Sequence, residues 1–168
     1  MKRISTWLIL VGLVLVLGVA NRTIWQKEQI RSRGREVLLE LAPVDPRSLI
    51  QGDYMMLRYA ESTFPSREQL PVSKGTLVLA LDADRVGTFV RLEDGSPLAA
   101  NEVRLKFRTI RDRGEFGIGA ESYFFQEGHA GVYERARYGI VRVDAAGNCV
   151  LAGLADEDHV PIRPPEAP

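Results

Sequence analysis

An N-terminal apolar segment constrains the fold of this chain more than any other feature. Residues 4–21 contain no charge and are mostly Leu, Val and Ile, with Lys2 and Arg3 before them and Arg22 and Trp25 after them. A transmembrane helix needs about 20 such residues, whereas a secretory signal has an apolar region of about 7–15 residues. We therefore predict a membrane anchor over residues 4–24. The alternative is a cleaved signal peptide, because the triplet GVA at residues 18–20 resembles a cleavage site.

The charges beside this segment give opposed signals about its orientation. A count of Lys and Arg over both flanks favours a cytoplasmic C-terminal side, since residues 22–35 hold five basic side chains. Against that, a short basic N-terminus before an apolar core is typical of export, and long domains are translocated largely regardless of charge. We predict a single-pass protein whose C-terminal domain is exported.

Charge and chain length divide the chain into five parts. A short tail (1–3) precedes the anchor (4–24), a basic linker (25–35), a β-rich domain (36–160) and a Pro-rich tail (161–168). The linker can hold anionic lipid head groups or form a solvated helix that continues the anchor to Gly34. Residues 36–168 carry fifteen basic and twenty-one acidic side chains. This acidic body argues against a nucleic-acid partner.

The β-rich part is the size of one ordinary domain, and its patterns have strand length. In residues 103–109, apolar positions or Thr alternate with Arg and Lys, which predicts a half-buried strand. Turn formers separate most of the segments, notably at residues 82–87, 93–97 and 144–148. We predict strands at residues 36–41, 54–60, 76–81, 88–92, 102–110, 123–126, 140–143 and 149–154. The expected fold is mainly β, a small β-barrel or β-sandwich behind one transmembrane helix.

The octet GDYMMLRY at residues 52–59 is the most specific motif in the chain. Asp45 and Pro46 suit the cap and first position of a short helical turn before it, and Gly52 and Asp53 suit a turn into a strand. A period of two places Met55, Leu57 and Tyr59 on one face and Tyr54, Met56 and Arg58 on the other. Leu57 and one tyrosine can fill the core. The alternative is a binding surface, because Tyr and Arg are preferred at interfaces.

The spaced pattern Gly-Asp-Tyr-x-x-Leu-x-Tyr resembles the signature of the GDYXXLXY proteins, bacterial membrane-associated domains without an assigned biochemical function. The resemblance extends to Asp45-Pro46 and to a second block at residues 121–134. The motif positions that it implies as a binding surface are Asp45, Gly52, Asp53, Tyr54, Leu57, Arg58, Tyr59, Tyr123, Phe124, Glu127, Gly128 and Glu134. From the apolar segment and its basic N-terminus we predict a location in the inner membrane, with the domain in the periplasm or outside.

Relatives of this kind often occur beside or fused to multi-span membrane proteins. We therefore expect a non-enzymatic binding or adaptor domain whose partners are a multi-span inner-membrane protein and, through residues 4–24, the lipid bilayer. The alternative is a carboxylate-dependent glycan hydrolase, in which two of Glu121, Glu127, Glu134, Asp45 and Asp53 would flank the scissile bond.

Other chemistries have weaker support in the sequence. A layout similar to type I signal peptidases would need a Ser-Lys dyad, for which only Ser48 with Lys74 or Lys106 is available. His129, His159 and Cys149 lack the close spacing of a zinc site, and the acidic run 156–158 lacks the pattern of a calcium loop. The single cysteine is more typical of a buried strand position than of a nucleophile. We predict no cofactor and no metal site.

Overall fold

The computed structural model describes residues 2–42, 50–51, 54–65, 70, 72–109, 116–126 and 128–163. These residues form a long helix followed by strands and one short helix. In chain order the elements are α1 (Lys2–Arg33), β1 (Arg35–Glu40), β2 (Ile50–Gln51), β3 (Tyr54–Met56), β4 (Lys74–Leu81), β5 (Gly87–Leu92), β6 (Glu102–Thr109), β7 (Phe116–Gly117), β8 (Ser122–Phe124), α2 (Ala130–Tyr133), β9 (Tyr138–Val143) and β10 (Cys149–Ala155).

Helix α1 contains the predicted apolar segment and is long enough to cross a bilayer. Its part Trp7–Arg33 has 27 residues, and the side chains of the most apolar stretch within it are not buried against the rest of the described chain. At 1.5 Å per residue this part is about 40 Å long, which exceeds a hydrocarbon core of about 30 Å. The helix ends at Arg33, so the prediction that it continues from the apolar segment to Gly34 is confirmed.

The strands form three antiparallel sheets with the orders β1-β9-β10, β2-β3-β8 and β5-β4-β6-β7. The prediction of a mainly β fold is therefore confirmed. None of these sheets closes on itself among the described strands, so the arrangement is sandwich-like and a closed barrel is not observed. Each predicted strand corresponds to an observed one within a few residues, except that the segment 54–60 leaves its sheet after Met56.

The main core lies between the first sheet and the four-stranded sheet. The alternation predicted for residues 103–109 is observed, because Val103, Leu105 and Phe107 of β6 are buried while Lys106 and Arg108 are exposed. Leu77 and Leu79 of β4 face the same cluster with no exposed surface. Burial of each such side chain contributes about 1.5–3 kcal/mol to folding.

The end of α1 is attached to the β-domain at Gly34. Ile30 is only 8% exposed, and its carbonyl accepts the Gly34 N–H at 2.8 Å. The Arg142 guanidinium of β9 donates to the Gly34 carbonyl at 3.3 Å. A Cβ at position 34 would lie 3.0 Å from the Val143 nitrogen and 3.1 Å from Arg142 Cβ. Close backbone approach therefore favours glycine at this junction.

Three features of the fold depend on non-local pairing. Strands β2 and β7 have two residues each, which is too short for a periodic pattern to indicate. The loop after β5 passes across β4, because β5 and β6 lie on opposite sides of that strand. In the segment assigned to the Pro-rich tail, Ile162 is buried and its N–H donates to the Leu154 carbonyl at 2.8 Å.

Candidate functional site

The octet divides into an inward and an outward face, as the period of two predicts. Met55 and Leu57 are each 4% exposed and belong to a second apolar cluster with Tyr133 and Leu154. Arg58 is exposed. After Met56 the chain moves to the first sheet, where Tyr59 forms an antiparallel bridge with Leu41. The octet thus connects the small sheet β2-β3-β8 to the edge of β1.

Tyr59 has a structural role. Its hydroxyl donates a hydrogen bond to the Ala120 carbonyl at 2.6 Å. Its ring lies 6.0 Å from that of Phe64, and a Cβ added at Gly139 of β9 would meet it at 3.3 Å. Burial, followed by the nearby Cys149 and Glu121, raises the pKa of Tyr59 well above its usual value. The hydroxyl therefore stays protonated and ties the segment before β8 to the octet.

Two motif residues form an aromatic pair at the surface. Tyr54 of β3 and Phe124 of β8 are direct cross-strand partners, with ring centroids 5.7 Å apart. Phe124 is 73% exposed, and Tyr54 is half-buried beneath it. Cross-strand aromatic contact stabilises the sheet, yet most of the Phe124 ring remains in solvent. We call Tyr54 and Phe124 the aromatic pair.

Tyr123 does not join this pair. It alternates to the other face of β8, where its ring contacts Tyr133 of α2 at 5.2 Å, and Phe125 contacts the same ring at 5.3 Å. Burial and a hydrogen bond with Tyr133 raise the pKa of Tyr123 to about 12. Of the aromatic motif positions, the structure thus brings Tyr54 and Phe124 together at the surface, while Tyr59 and Tyr123 pack inside.

The candidate carboxylates differ in their positions and hydrogen bonds. Glu121 Oε1 accepts the backbone N–H groups of Ile118 and Gly119, the latter at 2.7 Å, and so stabilises the bend before β8. Glu134 is exposed just after α2, and Gly128 adopts φ +83° in the preceding turn. Asp45, Gly52, Asp53 and Glu127 lie outside the described residues. The hydrolase alternative therefore stays a prediction. Of its five carboxylates, Glu121 already accepts hydrogen bonds from backbone N–H groups.

Two of the remaining candidate groups, Lys106 and Cys149, have ordinary structural contacts. Lys106 Nζ donates to Asn148 Oδ1 at 2.9 Å, and Ser48 lies outside the described residues. Cys149 is buried, with its sulfur 3.5 Å from the Ile118 carbonyl, and burial raises the pKa of the thiol to about 12. Within the described ranges no group of three or more His, Cys, Asp and Glu side chains is arranged to hold a metal ion.

A cleft that the motif analysis did not indicate lies where α1 meets the β-domain. Its volume is about 880 Å³, and α1 forms one wall while β6 and the β9–β10 turn contribute to the other. We call it the junction cleft. The basic linker was the only sequence signal for it. Its lining residues are Thr23, Trp25, Gln26, Lys27, Gln29, Ile30, Arg33, Gly34, Arg35, Leu98, Glu102, Val103, Arg104, Val143, Asp144, Ala145 and Asn148.

Together these features define a β-domain that follows one apolar helix. A Gly-Asp-Tyr-x-x-Leu-x-Tyr segment joins two of its sheets. The profile of the GDYXXLXY protein family matches residues 16–154, which is most of the chain. The chain therefore belongs to the GDYXXLXY family, as the octet indicated. Neither the curated proteins nor the solved structures contain a significant match. Membership identifies the family without assigning an activity.

Proposed function

We propose that this protein is a single-pass inner-membrane protein whose exported β-domain binds a multi-span membrane protein through the aromatic pair. The observation that carries the binding role is the 73% exposed ring of Phe124, held in place by its cross-strand partner Tyr54. Large aromatic rings are frequent anchors of protein interfaces. A ring that its neighbour already holds in place loses little side-chain freedom on binding, and this favours a binding role for Phe124.

The membrane location rests on α1. Its apolar window is wholly exposed, with large side chains such as Leu8, Val14 and Leu15 more than 60% accessible. Such a surface is costly in water, and a bilayer of about 30 Å thickness would cover it. The anchor would keep the domain beside other membrane proteins, which supports an integral membrane protein as the partner. The acidic balance of residues 36–168 supports a protein partner over nucleic acid.

The test combines recovery of the partner with a surface substitution. The full-length, C-terminally tagged protein is isolated from native membranes in mild detergent, and co-purifying proteins are identified by mass spectrometry. We expect a near-stoichiometric multi-span protein with the parent chain, and its loss with Tyr54→Ala/Phe124→Ala. The matched control is Val90→Ala/Val160→Ala, which removes two other exposed apolar side chains and should retain the partner.

Two outcomes would contradict the proposal. Equal recovery of the partner with both double variants would show that the aromatic pair is not part of the interface. Recovery of the protein without a partner would contradict the adaptor function. Thermal unfolding of each variant separates lost binding from lost folding, because a variant that still unfolds cooperatively has kept the fold. The Tyr54→Ala/Phe124→Ala variant should lose about 0.5–1.5 kcal/mol, since it removes a cross-strand aromatic contact at a half-buried position. Intact mass and alkaline carbonate extraction test the anchor separately. A chain that lacks residues 1–20 or is released by carbonate would not be an anchored protein.

A further inference from the structure

The junction cleft has the size of a ligand site. Its volume of about 880 Å³ lies within the range of about 300–1,000 Å³ typical of small-molecule sites. The lining combines apolar side chains, among them Trp25, Ile30 and Val143, with several basic ones. A ligand that suits both parts has an apolar body and an anionic group.

The position of the cleft along α1 matches the head-group layer of a membrane. About 20 residues span the hydrocarbon core, so a span that begins at Ile4, where the uncharged run starts, ends near Ile24. Lys27 then lies about 5 Å beyond the end of the span, within a polar layer of about 5–8 Å, and Arg33 lies about 9 Å further along the helix. Trp25 is 61% exposed at the boundary, where interfacial tryptophans occur.

The carboxylates of the cleft are already engaged within the domain. Glu102 forms an ion pair with Arg91 at 2.9 Å. Asp144 accepts the backbone N–H groups of Ala146 and Asn148. These acidic groups are thus satisfied by neighbouring donors and compete little for the cations of α1.

The basic side chains differ in their availability. Arg104 is paired with Glu93 at 2.6 Å, and Arg35 donates to the Ala100 carbonyl at 3.1 Å. Lys27 and Arg33 are exposed and form no ion pair with any described residue. The cleft therefore presents two available cations on the part of α1 that follows the apolar run.

We propose that the junction cleft binds the head group of an anionic phospholipid, with Lys27 and Arg33 at its phosphate and the acyl chains beside α1 in the bilayer. This inference rests on the membrane anchor of the proposed function. It adds a specific lipid site between helix and domain, distinct from the aromatic pair. The bound head group would fill the space between α1 and β6.

The test measures lipid retention by native mass spectrometry of the full-length protein in detergent. The probes are phosphatidylglycerol and, as the neutral comparison, phosphatidylcholine of the same acyl chains. We expect one phosphatidylglycerol to bind the parent chain in preference to phosphatidylcholine. The cleft variant Lys27→Gln/Arg33→Gln should weaken that binding more than about tenfold, because each charge-assisted hydrogen bond to a phosphate contributes about tenfold or more to affinity.

The matched control is Arg22→Gln/Arg31→Gln, which removes the same charge from the same helix at positions that do not line the cleft. It should weaken binding less than about threefold, since Arg31 is solvent-exposed and already lies 3.8 Å from Glu28. Equal losses in both double variants would show diffuse attraction to the helix and would overturn the proposal. Equal retention of the two lipids would overturn it too.

Two further arms separate the possible failures. Complete displacement of the lipid by excess inorganic phosphate would identify a site for free anions and would refute a lipid site. Carbonate extraction of the parent chain from membranes tests the anchor. A protein that stays in the membrane but shows no cleft-dependent lipid binding would refute this inference alone, whereas a released protein would refute both proposals.

Discussion

At the scale of single residues, the octet separates into structural and surface positions. Leu57 fills the second apolar cluster, and Tyr59 binds the Ala120 carbonyl from inside the domain. Tyr54 instead supports the exposed ring of Phe124. A side chain that alternates inward acquires a hydrogen bond or packing partner, while Tyr54 on the other face contacts a ring at the surface. One motif thus supplies both fold and candidate interface.

The hydrogen bond of Tyr59 can be tested by Tyr59→Phe. The substitution keeps the ring but leaves the Ala120 carbonyl without this donor, which should lower the free energy of unfolding by about 1–3 kcal/mol. Thermal unfolding of the full-length protein in detergent measures the change. Tyr54→Phe, at a half-buried position, is the control and should differ from the parent by no more than about 0.5 kcal/mol. Equal stability of both variants would contradict the assigned role of Tyr59.

The Cys149 thiol should be unreactive in the folded protein. Its pKa of about 12 lowers the thiolate fraction at pH 8 about a thousandfold relative to an ordinary thiol. Alkylation by iodoacetamide, followed by mass spectrometry, should be slow in native protein and fast in denaturant. Fast native alkylation would show that the thiol is accessible and ionised.

The same burial makes stability depend on pH in the alkaline range. Because the folded pKa of Cys149 is raised to about 12, its contribution is fully present below the unfolded pKa of about 8.5 and declines as the pH rises towards the folded value. Tyr59, whose pKa is also raised, acts in the same direction above about pH 10. Unfolding free energies should fall between about pH 8.5 and 10.5, and a smaller fall is expected for Cys149→Ala.

At the scale of elements, the domain depends on how short strands are joined. Strand β3 ends at Met56, and the following residues attach to β1 and to the segment before β8, through bonds such as Leu57 N–H to the Glu121 carbonyl at 2.8 Å. Helix α1 is attached at the end of β9, where the Arg142 side chain donates a hydrogen bond to the Gly34 carbonyl. Hydrogen bonds between elements therefore fix positions that local propensity leaves open.

The helix–sheet junction predicts a strong effect of Gly34→Ala. The added Cβ would collide with the Ile30 carbonyl and crowd the backbone of Val143, so α1 or β9 must shift. We expect a loss of about 1–3 kcal/mol, as for other overpacked sites, and faster proteolysis between α1 and β1. Gly18→Ala is the control, because its Cβ would meet nothing within 4 Å. Its unfolding temperature and cleavage rate should match those of the parent.

At the scale of the whole molecule, α1 serves two separable purposes. The side chains of its apolar part that the structure describes are exposed, while its last turns bury Ile30 and border the junction cleft. One continuous helix therefore connects the proposed membrane span directly to the domain, with Gly34 as the single residue between α1 and β1. Such a connection limits independent movement of the two parts.

Truncation should separate these two purposes. Deleting residues 2–22 should release the protein from membranes but leave the unfolding temperature of the domain nearly unchanged, because the described side chains of residues 7–22 are all exposed. Deleting residues 2–33 also removes Ile30, which should cost about 1.5–3 kcal/mol. Both forms are compared by membrane fractionation and by thermal unfolding. Equal stability of the two truncated forms would contradict a structural role for the end of α1.

The sequence by itself determined the elements with strong local signals. An uncharged run of eighteen residues can be read as a helix without tertiary contacts, and alternation in β6 reveals its buried face because side chains follow a period of two. The octet indicated the family for a related reason, since its residue types lie at fixed spacing within eight consecutive residues and can be read without a structure. The same period assigned Leu57 and Tyr59 to one face.

Only the tertiary structure decided which residues meet across the chain. The partners of Tyr59 at Ala120 and of Tyr54 at Phe124 are separated by more than sixty residues, and no local periodicity encodes such pairs. The junction cleft arises because residues 23–35 fold back against residues 98–104 and 143–148. The choice of a sandwich-like arrangement over a closed barrel likewise depends on which strand edges pair, and that is set by long-range hydrogen bonds.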